Sequence, residues 1–238
     1  MIRDDSVHGD FPGTVRADPE NNTLIINGTT VHMISANSPE EIDYTQYGIE
    51  DALLIDNTGA FTTEEALKRH LTSKGVDKVL LTAPGKGVPN IVHGVNHLEH
   101  NPDKVNIFSA ASCTTNAITP VLKAIEDSFG IKSGHLETIH AYTNDQVVLD
   151  APHSKGINAR RGRAAAANIV PTSTGAAVAV GKVLPQLQGK LDGIALRVPV
   201  VTGSCVDLVV ELKKEVTAEQ INAAVKARAN ESLGYTED

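Results

Sequence analysis

Three short apolar runs, the first two separated by a segment with helical signals, constrain the fold of this 238-residue chain more than any other feature. Residues 52–56 and 78–82 are almost continuously apolar, as is typical of parallel strands that are covered on both faces. Residues 105–109 form a third strand of this type. Between the first two runs, Thr62 or Thr63 can cap a helix whose first turn holds two glutamates. The alternation of strand and helix predicts an α/β fold with a parallel sheet.

The remaining segments predict antiparallel or mixed pairing. Near the N-terminus, Asn27-Gly28 forms the turn of a hairpin between two short strands. In the C-terminal half, strand and helix signals predict a sheet backed by helices on one face. Its strands are predicted at residues 134–140, 192–199 and 205–212, and its helices at residues 175–184 and from Thr217 onwards.

One cysteine stands where a strand should give way to a helix. Cys113 lies in the run SAASCTTN (residues 109–116), and a helix is predicted over residues 115–129. A helix N-terminus carries about +0.5 of an elementary charge, which favours a thiolate over a thiol. His140 ends an alternating apolar run, so a strand can bring its imidazole to the sulfur as base or counter-ion. Together these two residues suggest covalent catalysis.

Both residues also have ordinary interpretations. A free cysteine usually behaves as a small buried hydrophobe, and most of the nine histidines in a chain like this are solvated or structural. The hydroxyl-rich surroundings of Cys113 are too polar for a sulfur buried in a core. The strand, tight turn and helix around it also expose the turn residue, which favours the reactive interpretation.

Eight short motifs follow one another along the chain: DSVHG (residues 5–9), NTGAF (57–61), GVNH (94–97), SCTTN (112–116), AYTNDQ (141–146), RRGRAA (160–165), PTSTGAA (171–177) and LRVP (196–199). In this order they resemble the phosphorylating glyceraldehyde-3-phosphate dehydrogenases, and the resemblance covers essentially the whole chain. It implies a partial Rossmann-type NAD-binding domain at residues 1–112. An α+β catalytic domain with a mostly antiparallel or mixed sheet is expected to follow at residues 113–238.

The resemblance also implies roles for site residues. Cys113 would attack the aldehyde to give a thiohemiacetal and then a thioester, with His140 as ion-pair partner and base. Arginine forks and threonine hydroxyls suit tetrahedral oxyanions, of which this chemistry needs two. Thr143 and Arg197 would hold the substrate phosphate, and Ser112, Thr114, Arg161, Thr174 and Gly175 the attacking phosphate.

Several of these residues have a structural alternative. Thr174-Gly175 can simply begin a helix, and the three arginines at residues 160–163 can form a solvated basic face. Arg197 is harder to explain in this way, because an unpaired arginine is costly to bury in an apolar strand.

NAD is the implied cofactor, with Thr82 and Thr58 as the candidate binding residues, although both can be ordinary strand-end caps. Ala151-Pro152 is similar to the NAD-using forms and favours NAD over NADP. A dinucleotide domain normally opens with a Gly-x-Gly-x-x-Gly turn. Here the nearest match, residues 85–90, has asparagine and proline in the wrong places and is interpreted as a loop.

Departures from the family pattern are also expected to matter. The resemblance predicts an internal fragment that lacks the N-terminal fingerprint unit and the C-terminal tail. Ala117 stands where the family often has a second cysteine, which the covalent step does not need. Residues 153–159 form a loop longer than usual just before Arg161, and this loop is predicted to shift the second anion site.

Composition limits the other function classes. A net charge of −8 and a pI near 5.6 argue against a nucleic-acid surface, and no apolar run approaches the roughly 20 residues of a membrane helix. Two cysteines and the lack of a secretory signal predict the cytoplasm, and no metal site is predicted. The expected partners are glyceraldehyde 3-phosphate, inorganic phosphate and further copies of the chain, in a tetramer contacted through residues 182–201.

Three alternatives remain open at this point. The chain can be a non-catalytic fragment or interaction module that keeps the catalytic signature, or, more weakly, a hydrolase that uses the same cysteine and histidine. Within the dehydrogenase class, a four-carbon sugar phosphate is an alternative substrate.

Overall fold

The computed structural model of the chain describes residues 2–237. In chain order its strands and α-helices are β1 (Asp4–Asp5), β2 (Gly9–Asp10), β3 (Val15–Asp18), β4 (Thr23–Ile26), β5 (Thr29–His32), β6 (Ala52–Asp56), α1 (Glu64–Lys68), β7 (Val76–Leu81), β8 (Ile107–Ser109), α2 (Cys113–Phe129), β9 (Ile131–Ala141), β10 (Val170–Ser173), α3 (Ala176–Val183), β11 (Leu191–Val198), β12 (Ser204–Leu212) and α4 (Ala218–Lys226).

The N-terminal half contains the predicted parallel sheet. Its strands lie in the order β6-β7-β8, and both pairs are parallel. Thr63 caps α1, since its side chain accepts a hydrogen bond from the amide of Ala66 at 3.2 Å. Leu67 of α1 is fully buried against β7. The prediction that the strands are covered on both faces is wrong for β6, because α1 covers one face only and leaves Leu53 and Ile55 more than half exposed.

The predicted hairpin turn is confirmed. Strands β3, β4 and β5 form an antiparallel sheet, and Asn27 and Gly28 join β4 to β5. Their φ angles of 49° and 85° are the left-handed values that a tight two-residue hairpin turn requires.

The C-terminal half is a mixed four-stranded sheet with helices on one face. The strand order is β10-β11-β9-β12, and only the central β11-β9 pair is parallel. Leu122 of α2, Val180 of α3 and Leu136 of β9 are fully buried in one shared core. Val92 and Val95 pack into that core as well, so it extends across the predicted boundary at residues 112–113. The predicted fold class, a parallel sheet followed by a mixed sheet, is confirmed.

Two local features place the site. Helix α2 begins at Cys113, two residues earlier than predicted, so the cysteine is the first residue of the helix. Arg197 of β11 pairs in register with His140 of β9. Paired residues on neighbouring strands point to the same face of a sheet, and this is the face that the helices cover.

In residues 2–237, no helix has both the length and the apolar character needed to cross a membrane.

Candidate active site

The turn between β8 and α2 presents Cys113 at a helix N-terminus. Ala111 has φ +58°, an unusual left-handed value for a residue with a side chain, and it reverses the chain after β8. Ser112 caps the helix by accepting a hydrogen bond from the Thr115 amide at 3.0 Å. The Asn116 side chain donates to the Ala110 carbonyl at 2.7 Å and closes the turn. The sulfur is therefore exposed beside unpaired helix amides.

His140 faces the sulfur with a defined ring nitrogen. Its Nε2 lies 3.3 Å from Cys113 Sγ, and its Nδ1 lies 2.7 Å from the carbonyl oxygen of Ala141. Nδ1 also lies 3.2 Å from Nη1 of Arg197, which only donates, whereas the carbonyl oxygen only accepts. The two contacts favour opposite tautomers, and the shorter one, to Ala141, favours a proton on Nδ1. This leaves Nε2 to take the proton of the thiol.

Arg197 lies on the far side of the imidazole. Its Nη1 donates to the Ala141 carbonyl at 3.0 Å and to the Thr143 hydroxyl at 2.9 Å. Its Nε is buried and has no hydrogen-bond partner among the described residues. Burial lowers the pKa of Arg197, and the nearby Cys113 opposes that shift. The unused Nε is part of a fork that can hold an oxyanion in a bidentate manner.

Asp145 connects two of the other predicted phosphate ligands. Its carboxylate forms an ion pair with Arg161 and accepts a hydrogen bond from Thr143. Burial and the positive charge of Arg197 lower the pKa of Arg161. Arg161 and Arg197 are thus near enough for their charges to repel each other. The carboxylate of Asp145 compensates the charge of Arg161, and the sequence analysis did not single out this residue.

The other predicted phosphate ligands lie at helix starts. Thr174 Oγ1 accepts a hydrogen bond from the Ala176 amide at 3.1 Å, and Gly175 is the exposed residue before α3. Thr114 is 6% exposed in the first turn of α2, after the capping Ser112. The hydroxyls of Ser112 and Thr174 already serve as caps, so an anion would share them with helix amides.

Thr58 and Thr82 lie at the carboxyl ends of two parallel strands, and both bind Asp56. Thr58 donates its amide and its hydroxyl to the Asp56 carboxylate, at 2.8 and 2.7 Å. The Thr82 hydroxyl donates to the Asp56 carbonyl at 3.2 Å. Thr58 binds Oδ1 of Asp56, and Oδ2 of the same carboxylate lies 3.2 Å from Nε2 of the buried His70. Sequence reasoning missed Asp56 and His70, because nothing local marks two residues that meet only after folding.

Thr58 opens into a cleft of about 280 Å³ beside β6. Asn37, Pro39 and Phe61 also line the cleft. The lining is mostly apolar with a few polar groups, as is common for cofactor sites. Thr82 does not line this cleft.

Residues 2–237 contain no cluster of three or more His, Cys, Asp or Glu side chains able to hold a metal ion.

Comparisons with known proteins cover both halves of the chain. The family profile for the glyceraldehyde 3-phosphate dehydrogenase C-terminal domain matches residues 112–238, and that for the NAD binding domain of the same family matches residues 1–64. The chain is 54% identical to a glyceraldehyde-3-phosphate dehydrogenase-like protein of Pseudomonas aeruginosa strain UCBPP-PA14, over 98% of this chain and 50% of the relative.

Two relatives named as the dehydrogenase itself are also similar. Identity is 47% to glyceraldehyde-3-phosphate dehydrogenase of Streptococcus pyogenes serotype M1, over 100% of this chain and 69% of the relative. It is 44% to glyceraldehyde-3-phosphate dehydrogenase 1 of Bacillus cereus, over 100% of this chain and 70% of the relative. The chain thus spans about half the length of the first relative and about 70% of the other two. It belongs to the glyceraldehyde-3-phosphate dehydrogenase family.

Proposed function

We propose that the protein is an NAD-dependent oxidoreductase that converts D-glyceraldehyde 3-phosphate and inorganic phosphate into 1,3-bisphosphoglycerate, a step of glycolysis. The observation that carries the proposal is the 3.3 Å contact between Cys113 Sγ and His140 Nε2 at the start of α2. A nucleophile within hydrogen-bond reach of a base, with the base oriented by a third group, is the usual arrangement for covalent catalysis. Here the Ala141 carbonyl orients the base.

The proposed chemistry follows from these contacts. The Cys113 thiol proton passes to His140 Nε2, and the thiolate attacks the aldehyde carbon, so that a C–S bond forms as the carbonyl π bond breaks. The resulting alkoxide takes that proton from Nε2 to give the thiohemiacetal hydroxyl, which returns it to Nε2 when hydride leaves. NAD, when bound, supplies the acceptor for the hydride whose loss leaves a thioester. An oxygen of inorganic phosphate then attacks the thioester carbon. The C–S bond breaks, so the acyl phosphate leaves and the thiolate is restored.

Two groups of residues are proposed to hold the two phosphates. Arg197 and Thr143 suit the phosphate of the substrate, since Arg197 Nε is buried without a partner and the two side chains are hydrogen-bonded to each other. Ser112, Thr114, Arg161, Thr174 and Gly175 are proposed for the attacking phosphate. Asp145 contacts members of both groups, so we expect anion binding to compete with its carboxylate.

The described residues fit NAD in part. The cleft beside Thr58 has the size and apolar walls for a flat base, and Thr82 lies at the neighbouring strand end. The diphosphate has no comparable support: α1 begins with Glu64 and Glu65, which would repel it. We therefore propose Thr58, and Thr82 with less structural support, as cofactor contacts.

The same two glutamates favour a second candidate. A chain that keeps Cys113 and His140 but does not bind NAD would be an interaction module or a non-catalytic portion of the enzyme.

We further propose a unit boundary near residues 112–113, a cytoplasmic location and a homo-oligomer, tetrameric as implied by the family resemblance.

Turnover and cofactor binding test the two candidates separately. The 238-residue chain is incubated with glyceraldehyde 3-phosphate, NAD and phosphate while reduced nicotinamide is followed by absorbance, and NAD binding is measured by calorimetry. We expect turnover that is lost in Cys113→Ser and lowered roughly 10²- to 10⁴-fold in His140→Gln. Cys205→Ser, which changes the other exposed thiol, serves as the control. A folded wild-type chain that does not bind NAD would contradict the oxidoreductase proposal for this chain and support the second candidate.

A further inference from the structure

The turn before Cys113 contains a residue with a strained backbone. Ala111 has a φ of +58°, in the left-handed region where the Cβ atom of a residue crowds the following carbonyl oxygen. The other non-glycine residues of positive φ in the described part of the chain are Asn22, Asn27 and Asp51. Asparagine and aspartate tolerate this region because their side chains can bond to the nearby backbone, whereas alanine has no such group. Neighbouring residues must therefore hold Ala111 in place.

A buried hydroxyl fixes the strand side of this turn. Ser109, fully buried at the end of β8, accepts a hydrogen bond from the Ala111 amide at 3.0 Å. The same hydroxyl donates to the carbonyl of Ala83 at 2.6 Å. The amide of Ala110 donates to the carbonyl of Leu81 at 2.8 Å. These bonds anchor the first half of the turn to the end of β7 and to the segment that follows it.

One exposed side chain bridges the helix side of the turn. Nδ2 of Asn116 donates to the carbonyl oxygen of Ala110 at 2.7 Å and to that of Ser112 at 2.9 Å. An amide nitrogen carries two hydrogens, so each carbonyl can receive one of them. The two carbonyls flank Ala111 in the chain. Asn116 thus spans the strained residue and supplies the bonds that the alanine side chain cannot make.

We propose that Asn116 is a positioning residue, whose bridge keeps Ala111 left-handed and thereby holds the Cys113 sulfur at the imidazole of His140. Sγ lies 3.3 Å from Nε2 of that ring, and Cys113 follows the turn directly. Relaxation of Ala111 to a negative φ would turn the next peptide and carry the sulfur away from the ring. Asn116 acts through the backbone, since its bonds go to carbonyls of the turn. The inference rests on the proposed function, because it takes Cys113 as the nucleophile.

A double substitution separates this role from a general loss of stability. The rate of Cys113 alkylation by iodoacetamide is measured by peptide mass spectrometry on the 238-residue chain, without cofactor or substrate. Asn116→Ala should lower this rate by about fivefold to thirtyfold, the population change that corresponds to the cost of a left-handed alanine. Adding Ala111→Gly should return the rate to within about threefold of wild type, because glycine adopts this φ without that cost. Loss of a merely stabilising contact would not be rescued in this way.

The matched control is Asn222→Ala, at an exposed position of α4, which should leave the Cys113 rate within about twofold of wild type. Circular dichroism verifies that every variant is folded. An unchanged rate in Asn116→Ala, an equal loss in Asn222→Ala, or no recovery in the double variant would overturn the inference and leave the proposed function intact. A wild-type Cys113 that reacts no faster than Cys205, the other exposed thiol, would overturn both.

Discussion

At the scale of single residues, the site depends on two side chains whose partners are fixed by the backbone. His140 is oriented by the carbonyl of the residue that follows it, and Cys113 by the turn that begins its helix. Neither orientation requires a bound ligand. The thiol should therefore be reactive in the free chain, and this can be measured without any assumption about cofactor or substrate.

The first prediction concerns that reactivity. His140→Gln should slow alkylation of Cys113 by iodoacetamide at neutral pH by roughly 10- to 100-fold, because the variant loses the base that accepts the thiol proton. Peptide mass spectrometry measures the rate at each cysteine separately. Cys205, exposed on β12, is a control within the same molecule, and its rate should not change. Equal slowing of both cysteines, or of neither, would contradict the proposed role of His140.

The second prediction concerns the buried carboxylate of Asp56. Asp56→Asn should lower the free energy of unfolding by about 1–3 kcal/mol, because the amide replaces charge-assisted hydrogen bonds to Thr58 and His70. Urea denaturation measures the change. Asp207→Asn, at an exposed position of β12, should stay within about 0.5 kcal/mol of the wild-type value. If the two variants are equally stable, the carboxylate has no structural role.

At the scale of elements, α2 carries the largest share of the argument, because one helix presents the thiol and fills the core. Leu122 on its inner face is fully buried. We predict that Leu122→Ala lowers the free energy of unfolding by about 2–5 kcal/mol, since it removes buried methyl groups and leaves a cavity. Val178→Ala, on the exposed face of α3, should cost less than about 1 kcal/mol in the same urea measurement. Similar costs would mean that α2 is not packed as described.

An exposed ion pair between Glu40 and Arg69 responds to pH. Hydrogen bonds from Arg69, at 2.5 and 3.0 Å, lower the pKa of Glu40 from its usual 4.5 to about 2. Because the pKa is lower in the folded state, the stabilisation is complete above about pH 4.5 and is lost as the pH falls through about 2. Arg69→Gln should therefore return the pKa of Glu40 towards 4.5.

Carbon-detected NMR of the side-chain carboxyls measures this shift. Asp43, whose pKa is held at about 2 by the Thr45 hydroxyl and by Lys74, is the internal control and should titrate as before. A Glu40 pKa that remained near 2 in Arg69→Gln would show that Arg69 is not its cause.

The elements also show how far the sequence could be interpreted. Apolar runs, caps and the Asn27-Gly28 turn are local signals, so the longer strands and the α-helices were predicted within a few residues. Strands β1, β2 and β10 were not predicted, because segments of two to four residues are too short to show a strand period. The first two residues of α2 were missed, because the Ser112 cap becomes evident only from its bond to the Thr115 amide. The exposed face of β6 was missed as well, because an apolar run does not reveal what covers it.

At the scale of the whole molecule, the predicted site residues come together through register rather than through local sequence. Cys113, His140 and Arg197 were chosen from separate motifs, and the parallel pairing of β9 with β11 brings the latter two side by side. Asp145, Asp56 and His70 were not chosen, since the Asp145–Arg161 ion pair and the Asp56–His70 contact join residues that are far apart in sequence. The positive groups around the thiol also stand out only against the net charge of −8.

The last prediction concerns the uncovered face of β6. Leu53 is 53% exposed at the edge of the parallel sheet, and β6 pairs only with β7 in the described structure. An open strand edge with an apolar side chain favours association between copies, and lysine at such a position opposes it. Burying one leucine contributes about 1.5–3 kcal/mol, so Leu53→Lys should weaken self-association of the 238-residue chain by at least about tenfold.

Sedimentation equilibrium measures this self-association, with Val178→Lys, at an exposed helical position, as the control. If Val178→Lys weakens association equally, charge repulsion is the cause. If neither variant weakens it, copies associate through another surface, of which residues 182–201 are the predicted one.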